Sequence, residues 1–598
     1  MKKLFQKNNK TGIGLRLLGL GLCVAILLTC SMSAFSSLHS KKKPDFNSYT
    51  ELLFQEQLKG DTIGLHYTLA HPQDYGITNY EISIGSLDES DILSTQLSCE
   101  NIRSMCESYD YDSLSTNDRL TYDILIYTLN QNLEGCGYYY YKEPLNPING
   151  IQAELPVLMA EYTFREITDV NDYLALLEKV PAYFQQIQDF EEKKASRGLF
   201  MPGFAADNII SQISSLLDAP SFSCLRETFP GKLAHVSGLT EEKQAAYIQA
   251  HESRIEEYLV PAYDSLLKTL TRLKETSEND GGLCYLPEGG SYYAYLVKNT
   301  TASARSVEEL DKLIEEKRQK NMSELAEIIK NNPDILSEMK NVKLSFSTPE
   351  EMLEHLKQVM TDDFPEAPDN TYEVKTVEPA MQSFLSPAFY LTAPMDDPDD
   401  NNIYINPIHQ RTDLELFTTL AHEGYPGHLY ETVSSYAQDF SPLRHVLGFG
   451  GYTEGWATYV EMQSYYYAGL DENVARALQL NAAATLSLYA SIDIGIHKNG
   501  WNREIVQEFL SDYGITSKST ADHVYELVVE TPANYLKYYV GYLEFSALRE
   551  AAMERYGEQY NDKAFHQALL AIGPAPFSII DQYLPLVIVS YLQDPSNA

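Results

Sequence analysis

Residues 412–428 read TDLELFTTLAHEGYPGH, and they contain a helix together with the break that ends it. Thr412 followed three residues later by Glu415 forms a capping box, the usual start of a helix. The apolar residues that follow recur at helical spacing on one face: Leu414, Phe417 and Ala421, with Leu416 and Leu420 beside them. His422 and Glu423 therefore lie at the C-terminal end of a packed helix.

The two histidines of this stretch lie further apart than in the common zinc-peptidase motif, which places them at i and i+4. Six residues rotate a side chain by about 600°, roughly a third of a turn off the first face. His422 and His428 can therefore bind one ion only if the backbone changes course between them. Pro426 lacks a helical N–H and Gly427 permits unusual dihedral angles, so the sequence provides such a break. Spacing alone leaves open a metal site or a helix end with two polar histidines at a turn.

A second segment, EGWATYVE at 454–461, follows about 25 residues further along the chain. It places Glu454, Thr458 and Glu461 on one helical face. Glu454 supplies the third ligand that a His₂Glu zinc site needs. The alternative is that these residues form a solvated acidic face. Trp456 and the other apolar residues around them argue against that alternative.

Two further patterns carry polar chemistry. Asp493 and His497 lie four residues apart, so the carboxylate can orient the ring, although an isolated pair of this kind is more often a surface contact. Four tyrosines cluster around Gly541: Tyr535, Tyr538, Tyr539 and Tyr542. Tyrosines at helical spacing are usually core residues, but a phenol can also stabilise an oxyanion.

The rest of the chain predicts a mainly α fold with a small β element. Helical periodicity is clearest at 173–190, 241–275, 307–329 and 472–490, and strand-like composition occurs at 389–391 and 403–405. Glycine-rich turns at 275–290 mark a boundary between an N-terminal helical half, 44–280, and a C-terminal half, 281–598, that contains the metal-site motifs.

Composition limits the class of protein. With 598 residues, 44% hydrophobic and 22% charged, the chain is larger than one minimal module, and its composition excludes extensive disorder. The formal net charge of −39 disfavours nucleic-acid binding and favours cationic ligands, metal ions included.

The N-terminus is typical of an export signal. Residues 1–30 combine a basic start with an apolar run, and residues 31–43 are expected to form a tether. Cys30 ends a lipobox-like segment and is the expected lipidation site, with ordinary cleavage at 31–33 or an uncleaved anchor as alternatives. Each of these places the body outside the cytoplasm. Its five cysteines allow one or two disulfides, and without a CxxC pair a thiolate zinc site is not expected.

Four motifs stand in one order along the chain: HEGYPGH at 422–428, EGWATYVE at 454–461, DIGIH at 493–497 and YYVG at 538–541. Weaker matches occur at 198–202, 292–295, 387–390 and 404–406. On these motifs the chain, from about residue 161 onward, resembles the bacterial family called domain of unknown function 885 (DUF885). The fold of that family is related to helical zinc metallopeptidases of the HExxH gluzincin type.

The resemblance implies a multi-helix, zincin-like body around a deep cleft, with a small antiparallel β element on its edge. It also implies a role for each matching residue: His422, His428 and Glu454 would hold zinc, Glu423 would be the general base, and His497 with Tyr538 or Tyr539 would stabilise the oxyanion. Asp493 and Glu461 would support these groups. The stretch from Tyr404 to Asn406 would pair with an extended peptide by strand addition.

The expected function is therefore an extracytoplasmic zinc-dependent peptidase that hydrolyses short peptides. One alternative is a surface lipoprotein that binds peptides or metal without cleaving them. A second is a hydrolase of glycosidic or amide bonds that uses Glu454 and Glu461, although glycosidases usually place their two carboxylates on either side of the bond. Membrane contact is expected only through the N-terminal lipid or leader.

Overall fold

The computed structural model describes residues 43–379, 382, 385–409 and 411–593. The predicted leader with Cys30, and the tether up to residue 42, lie outside these residues. The described chain is mainly helical with one small sheet, as the sequence predicts. Within it, no helix is both long enough and apolar enough to cross a membrane.

In the described part of the chain, fourteen α-helices precede the sheet. They are α1 (Phe46–Lys59), α2 (Thr62–Thr68), α3 (Ser90–Glu107), α4 (Thr116–Cys136), α5 (Ile151–Glu161), α6 (Ile167–Ser196), α7 (Gly203–Leu217), α8 (Ser223–Ala234), α9 (Glu241–Arg254), α10 (Val260–Leu273), α11 (Gly289–Thr301), α12 (Val307–Asn331), α13 (Ile335–Lys340) and α14 (Pro349–Val359). A π-helical turn, Ile255–Leu259, joins α9 to α10.

The three strands are β1 (Tyr372–Thr376), β2 (Ala388–Leu391) and β3 (Asn401–Ile405). The remaining helices follow them: α15 (Asp413–Glu423), α16 (His428–Tyr436), α17 (Gly450–Tyr467), α18 (Glu472–His497), α19 (Arg503–Asp512), α20 (Lys518–Glu530), α21 (Asn534–Tyr556), α22 (Asp562–Ile572) and α23 (Phe577–Leu592). The four periodic stretches named from sequence fall within α6, α9 to α10, α12 and α18. The capping box of α15 forms as predicted, with Thr412 and Glu415 exchanging hydrogen bonds.

The sheet is mixed, and the expectation of an antiparallel element is correct for only one of its two pairings. β2 runs antiparallel to β3, whereas β1, which was not predicted, runs parallel to it. The order β1–β3–β2 makes β3 the central strand. β1 has no buried residue, so its sequence, YEVKT, lacks the apolar run that would have identified it.

The apolar cores cross the boundary that the sequence predicts between the two halves. One core surrounds α5 to α10. The largest core joins side chains of α1 and α4, among them Phe54 and Ile124, to C-terminal residues such as Phe417 and Tyr452. The N-terminal helices therefore complete the core of the segment that carries the metal-site motifs.

Helices α17 and α21 touch backbone to backbone. A methyl group at Gly455 would lie 2.5 Å from the Cα of Gly541, and one at Gly541 would collide with the carbonyl of Gly451. Glycine at these positions lets the two helices cross without side chains between them. The crossing brings Glu454 of α17 close to the first turns of α21.

All five cysteines of the described chain are free thiols: Cys99, Cys106, Cys136, Cys224 and Cys284. The one or two disulfides that the sequence allows are therefore not formed among them.

Candidate metal centre

The chain turns sharply between the two histidines of the HEGYPGH segment. α15 ends at Glu423 and α16 begins at His428, so the six-residue spacing spans a break between two helices. A Cβ atom at Gly427 would collide with the carbonyl oxygen of His422. Since Gly427 has a φ of −83°, this close approach is the reason for glycine there. The turn is held to α17 by Trp456, whose indole N–H donates to the Pro426 carbonyl at 2.9 Å.

The break brings the three predicted ligands together. Nε2 of His422 and Nε2 of His428 each lie 3.6 Å from Oε2 of Glu454, and one ligand atom from each residue lies within 4.8 Å of the others. Two ligands of one tetrahedral zinc, with bonds near 2.1 Å, are separated by roughly 3.4 Å. The donor set and its spacing therefore fit a zinc ion.

Unsatisfied polar atoms support the same fit. All three side chains are buried, and His428 Nε2 and Glu454 Oε2 have no hydrogen-bond partner. Buried polar atoms without partners are costly in a folded protein unless a ligand or an ion satisfies them. A cation held between these atoms would remove that cost.

Neighbouring charges fix which atom of His422 and of Glu454 faces the centre. Glu461 lies 3.1 Å from Nδ1 of His422, so a proton on Nδ1 leaves the Nε2 lone pair facing Glu454. The Lys537 ammonium lies 3.3 Å from Oε1 of Glu454, on the side away from the histidines. Glu461 therefore has the supporting position predicted from sequence, and Lys537 supports Glu454 in the same way.

The electrostatics of the cluster favour a positive charge at its centre. Burial opposes the charge on Glu454, but Lys537 and the two histidines outweigh it and hold the pKa of this carboxyl well below its usual range. Burial also opposes a charged His422, yet Glu454 and Glu461 outweigh it and raise the pKa of this imidazole to about 10. The carboxylates thus attract a cation to the place where the ligand atoms meet.

Glu423 lies beside the ligands and against the sheet. Its Oε2 accepts a hydrogen bond of 2.9 Å from the main-chain N–H of Tyr390 in β2. Burial raises the pKa of Glu423, while His422 and His428 oppose that shift. The carboxyl is therefore held rigidly next to the cluster.

Of the two tyrosines proposed for the oxyanion, only Tyr538 is placed at the cluster. Its side chain interacts with Glu454, and burial together with that charge keeps its pKa well above the usual value. Its ring centroid lies 6.5 Å from that of His422. Tyr539 instead lies near Tyr542, and its buried hydroxyl has no hydrogen-bond partner.

The structure does not support the oxyanion role expected for His497. Its Nδ1 accepts from the main-chain N–H of Leu283 at 3.2 Å, and its Nε2 lies 2.9 Å from the Val528 carbonyl. Burial lowers the pKa of the ring to about 4. Because both nitrogens are engaged by main chain, the neutral ring has no free N–H for an oxyanion.

Asp493 does not orient His497 either. Its Oδ1 accepts from the hydroxyl of Tyr293 at 2.5 Å and from the main-chain N–H of Ala533 at 3.2 Å. The expected i, i+4 contact is lost because main-chain groups distant in sequence engage both nitrogens of His497. Asp493 instead joins α18 to α11 and to the start of α21.

The structure contradicts the strand addition expected at Tyr404 to Asn406. Both edges of β3 are already paired, so no peptide can be added to this strand. The hydroxyl of Tyr404 donates to Glu161, and the amide of Asn406 donates to the carbonyls of Gln382 and Leu385. Both side chains hold the sheet in place, and the strand edge that faces Glu423 belongs to β2.

Lys537 contacts the candidate site, and the sequence patterns did not identify it. It directly precedes Tyr538 and lies in the first turn of α21. A lysine in the first turn is disfavoured by the helix dipole, and this was the signal available in the sequence.

Comparisons with known proteins agree on fold and family. A candidate lipoprotein from Colwellia psychrerythraea has a similar structure, with a TM-score of 0.80 at 18% identity, covering 92% of this chain and 99% of that one. A candidate lipoprotein of unknown function from Shewanella oneidensis gives a TM-score of 0.63 at 16% identity, covering 91% and 100%. No curated protein matches the sequence. The model of the family described as bacterial protein of unknown function (DUF885) matches residues 87–584, so the chain belongs to the DUF885 family.

Proposed function

We propose that this protein is an extracytoplasmic zinc-dependent peptidase that acts on short peptides. The proposal rests on one observation: the ligand atoms of His422, His428 and Glu454 lie close together in a buried cluster, with Glu423 beside them. A His₂Glu set with an adjacent glutamate is the arrangement of catalytic rather than structural zinc sites. The relation to helical gluzincin peptidases is part of this proposal.

His422, His428 and Glu454 would hold the metal. Zinc at this place would supply Lewis-acid polarisation of a peptide carbonyl and lower the pKa of water to about 7. Glu461 and Lys537 keep the ligand atoms oriented, as their contacts with His422 and Glu454 indicate.

Glu423 and Tyr538 would perform the proton and hydrogen-bond steps. Glu423 takes a proton from the attacking water and delivers it to the departing amine. The Tyr390 N–H holds the carboxylate while it does so. Tyr538 keeps its proton at neutral pH, because its pKa is raised, and donates a hydrogen bond to the oxygen on which negative charge develops.

Substrate size and location follow from the burial of the site and from related folds. The three ligands are each less than a tenth exposed, which favours short, extended peptides over loops of folded proteins. The two structural relatives are described as lipoproteins, in agreement with export and with a lipid anchor at Cys30.

Metal content of the purified protein tests the proposal first. We expect about one zinc per chain, lost on His428→Ala, and we expect Glu423→Gln to keep the metal while hydrolysing peptides at least about 10²-fold more slowly. Absence of zinc after incubation with an excess of the metal would contradict the proposal. Bound zinc without cleavage of any member of a peptide library would instead support a binding lipoprotein.

A further inference from the structure

A cavity of about 320 Å³ lies between loops of the N-terminal segment and the start of α21, where it reaches the side chain of Lys537. Its wall includes Lys537, the residue that also contacts the ligand Glu454. The volume is that of a small-molecule site and has space for about one or two peptide residues. The cavity is therefore well placed to receive the part of a peptide next to the bond that is cleaved.

Three other ionisable groups in the cavity wall, Glu143, Glu530 and His497, add no net positive charge to the cavity. Glu143 forms an ion pair of 2.6 Å with the buried ammonium of Lys194. Glu530 accepts a hydrogen bond of 2.6 Å from the Asn208 amide, and burial raises its pKa to about 7. His497 is neutral because burial lowers its pKa to about 4, and its Nδ1 accepts a hydrogen bond from the Leu283 N–H.

Lys537 differs from these groups because it connects the cavity to the metal centre. Its side chain is 20% exposed, and its ammonium contacts only the outer oxygen of Glu454 within the ligand set. A lysine ammonium has three donors, so the contact with Glu454 leaves capacity for a second acceptor. Asn146, Asn149 and Asn534 add amide groups to the same wall.

We propose that Lys537 binds the terminal carboxylate of the substrate, so that the protein removes residues from the C-terminal end of peptides. This inference rests on the proposed peptidase function. Because Lys537 touches a ligand of the metal, its ammonium lies within a few ångströms of the site of cleavage. One extended residue spans about 3.5 Å, so a carboxylate held there ends the chain about one or two residues after the cleaved bond.

A matched pair of peptides tests the role of Lys537. The two peptides share a sequence and end in a free carboxylate or in an amide. We expect wild-type kcat/KM to be about 10- to 100-fold higher for the acid, the range given by one charge-assisted hydrogen bond. Lys537→Met should reduce that ratio to about one, whereas Lys298→Met, a surface lysine paired with Glu134, should leave it unchanged.

Calorimetry separates this inference from the proposed function. Titration of both peptides into Glu423→Gln, with and without Lys537→Met, measures binding without turnover, and zinc content confirms that the site is intact in each variant. Preferential binding of the acid, lost with Lys537→Met, supports the inference even if no peptide is cleaved. Equal binding of acid and amide would overturn it. An equal loss of cleavage for both peptides would also overturn it and would leave Lys537 only the role of orienting Glu454.

Discussion

At the scale of single residues, the geometry of the cluster depends on which atoms of His422 and Glu454 already contact a charged neighbour. Nδ1 of His422 contacts Glu461, and Oε1 of Glu454 contacts Lys537, so the remaining ligand atoms face one another. The same reasoning removes His497 from the site, since both of its nitrogens are bonded to main chain. A residue type at a suitable spacing is therefore a useful indication, but its free atoms decide its role.

Asp493 shows how a buried residue can carry a pH dependence of stability. Burial raises its pKa to about 7, while hydrogen bonds from Tyr293 and Ala533 oppose the shift. The folded pKa exceeds the unfolded value near 3.8, so the folded state binds this proton more tightly. Its contribution to stability is present below pH 4 and is lost as the pH rises through about 7.

We therefore expect the free energy of unfolding of wild-type protein to fall, relative to Asp493→Asn, by roughly 2.5 kcal/mol between pH 5 and pH 8. Urea denaturation of both proteins at the two pH values measures this difference, and groups common to both proteins cancel. Parallel pH profiles would show that Asp493 does not titrate in this range.

At the scale of elements, the break between α15 and α16 makes an unusual histidine spacing compatible with one metal. The break depends on Gly427, where any side chain would meet the carbonyl of His422. We expect Gly427→Ala to destabilise the protein by about 2–4 kcal/mol and to lower its zinc content, because the turn must open to admit a methyl group.

Gly231 provides the matched control for this substitution. It lies within α8 with no atom within 4 Å of an added Cβ. Gly231→Ala should therefore be neutral or stabilise the protein by up to about 1 kcal/mol. Thermal unfolding and metal analysis of the two variants compare them directly, and equal effects would contradict the role given to Gly427.

Sequence patterns predicted the elements better than the contacts between them. The helices and the capping box of Thr412 depend on residues a few positions apart, and these predictions are confirmed. Strand order and side-chain partners depend on distant residues. Local spacing could not show that β3 lies between two strands. Nor could it show that the nitrogens of His497 contact the main chain of Leu283 and Val528.

At the scale of the whole molecule, the largest core joins the first helices to the C-terminal half. Phe54, Ile124 and Leu125 are fully buried, and they belong to the same core as Phe417 and Tyr452. The segment 281–598 alone would expose the apolar surface that α1 and α4 cover. A turn-rich boundary in sequence is therefore not a boundary between cores.

We expect residues 281–598, produced alone, to show no cooperative thermal unfolding and to bind no zinc. Co-expression with residues 44–280 should restore both properties, since the missing side of the core is then supplied. Circular dichroism and limited proteolysis measure the outcome. Sharp unfolding of the isolated segment, with metal bound, would establish it as an independent domain.

The glycine crossing of α17 and α21 has a consequence for motion. At Gly455 and Gly541 no side chain separates the two helices, so their backbones are in direct contact and their separation is fixed. Glu454, on one helix, and Lys537 with Tyr538, on the other, therefore form a single rigid body. The facing wall of the cavity, which includes loop residues 142–149 and 199–202, belongs to other segments of the chain. A widening of the cavity on that side would therefore leave the geometry of Glu454, Lys537 and Tyr538 unchanged.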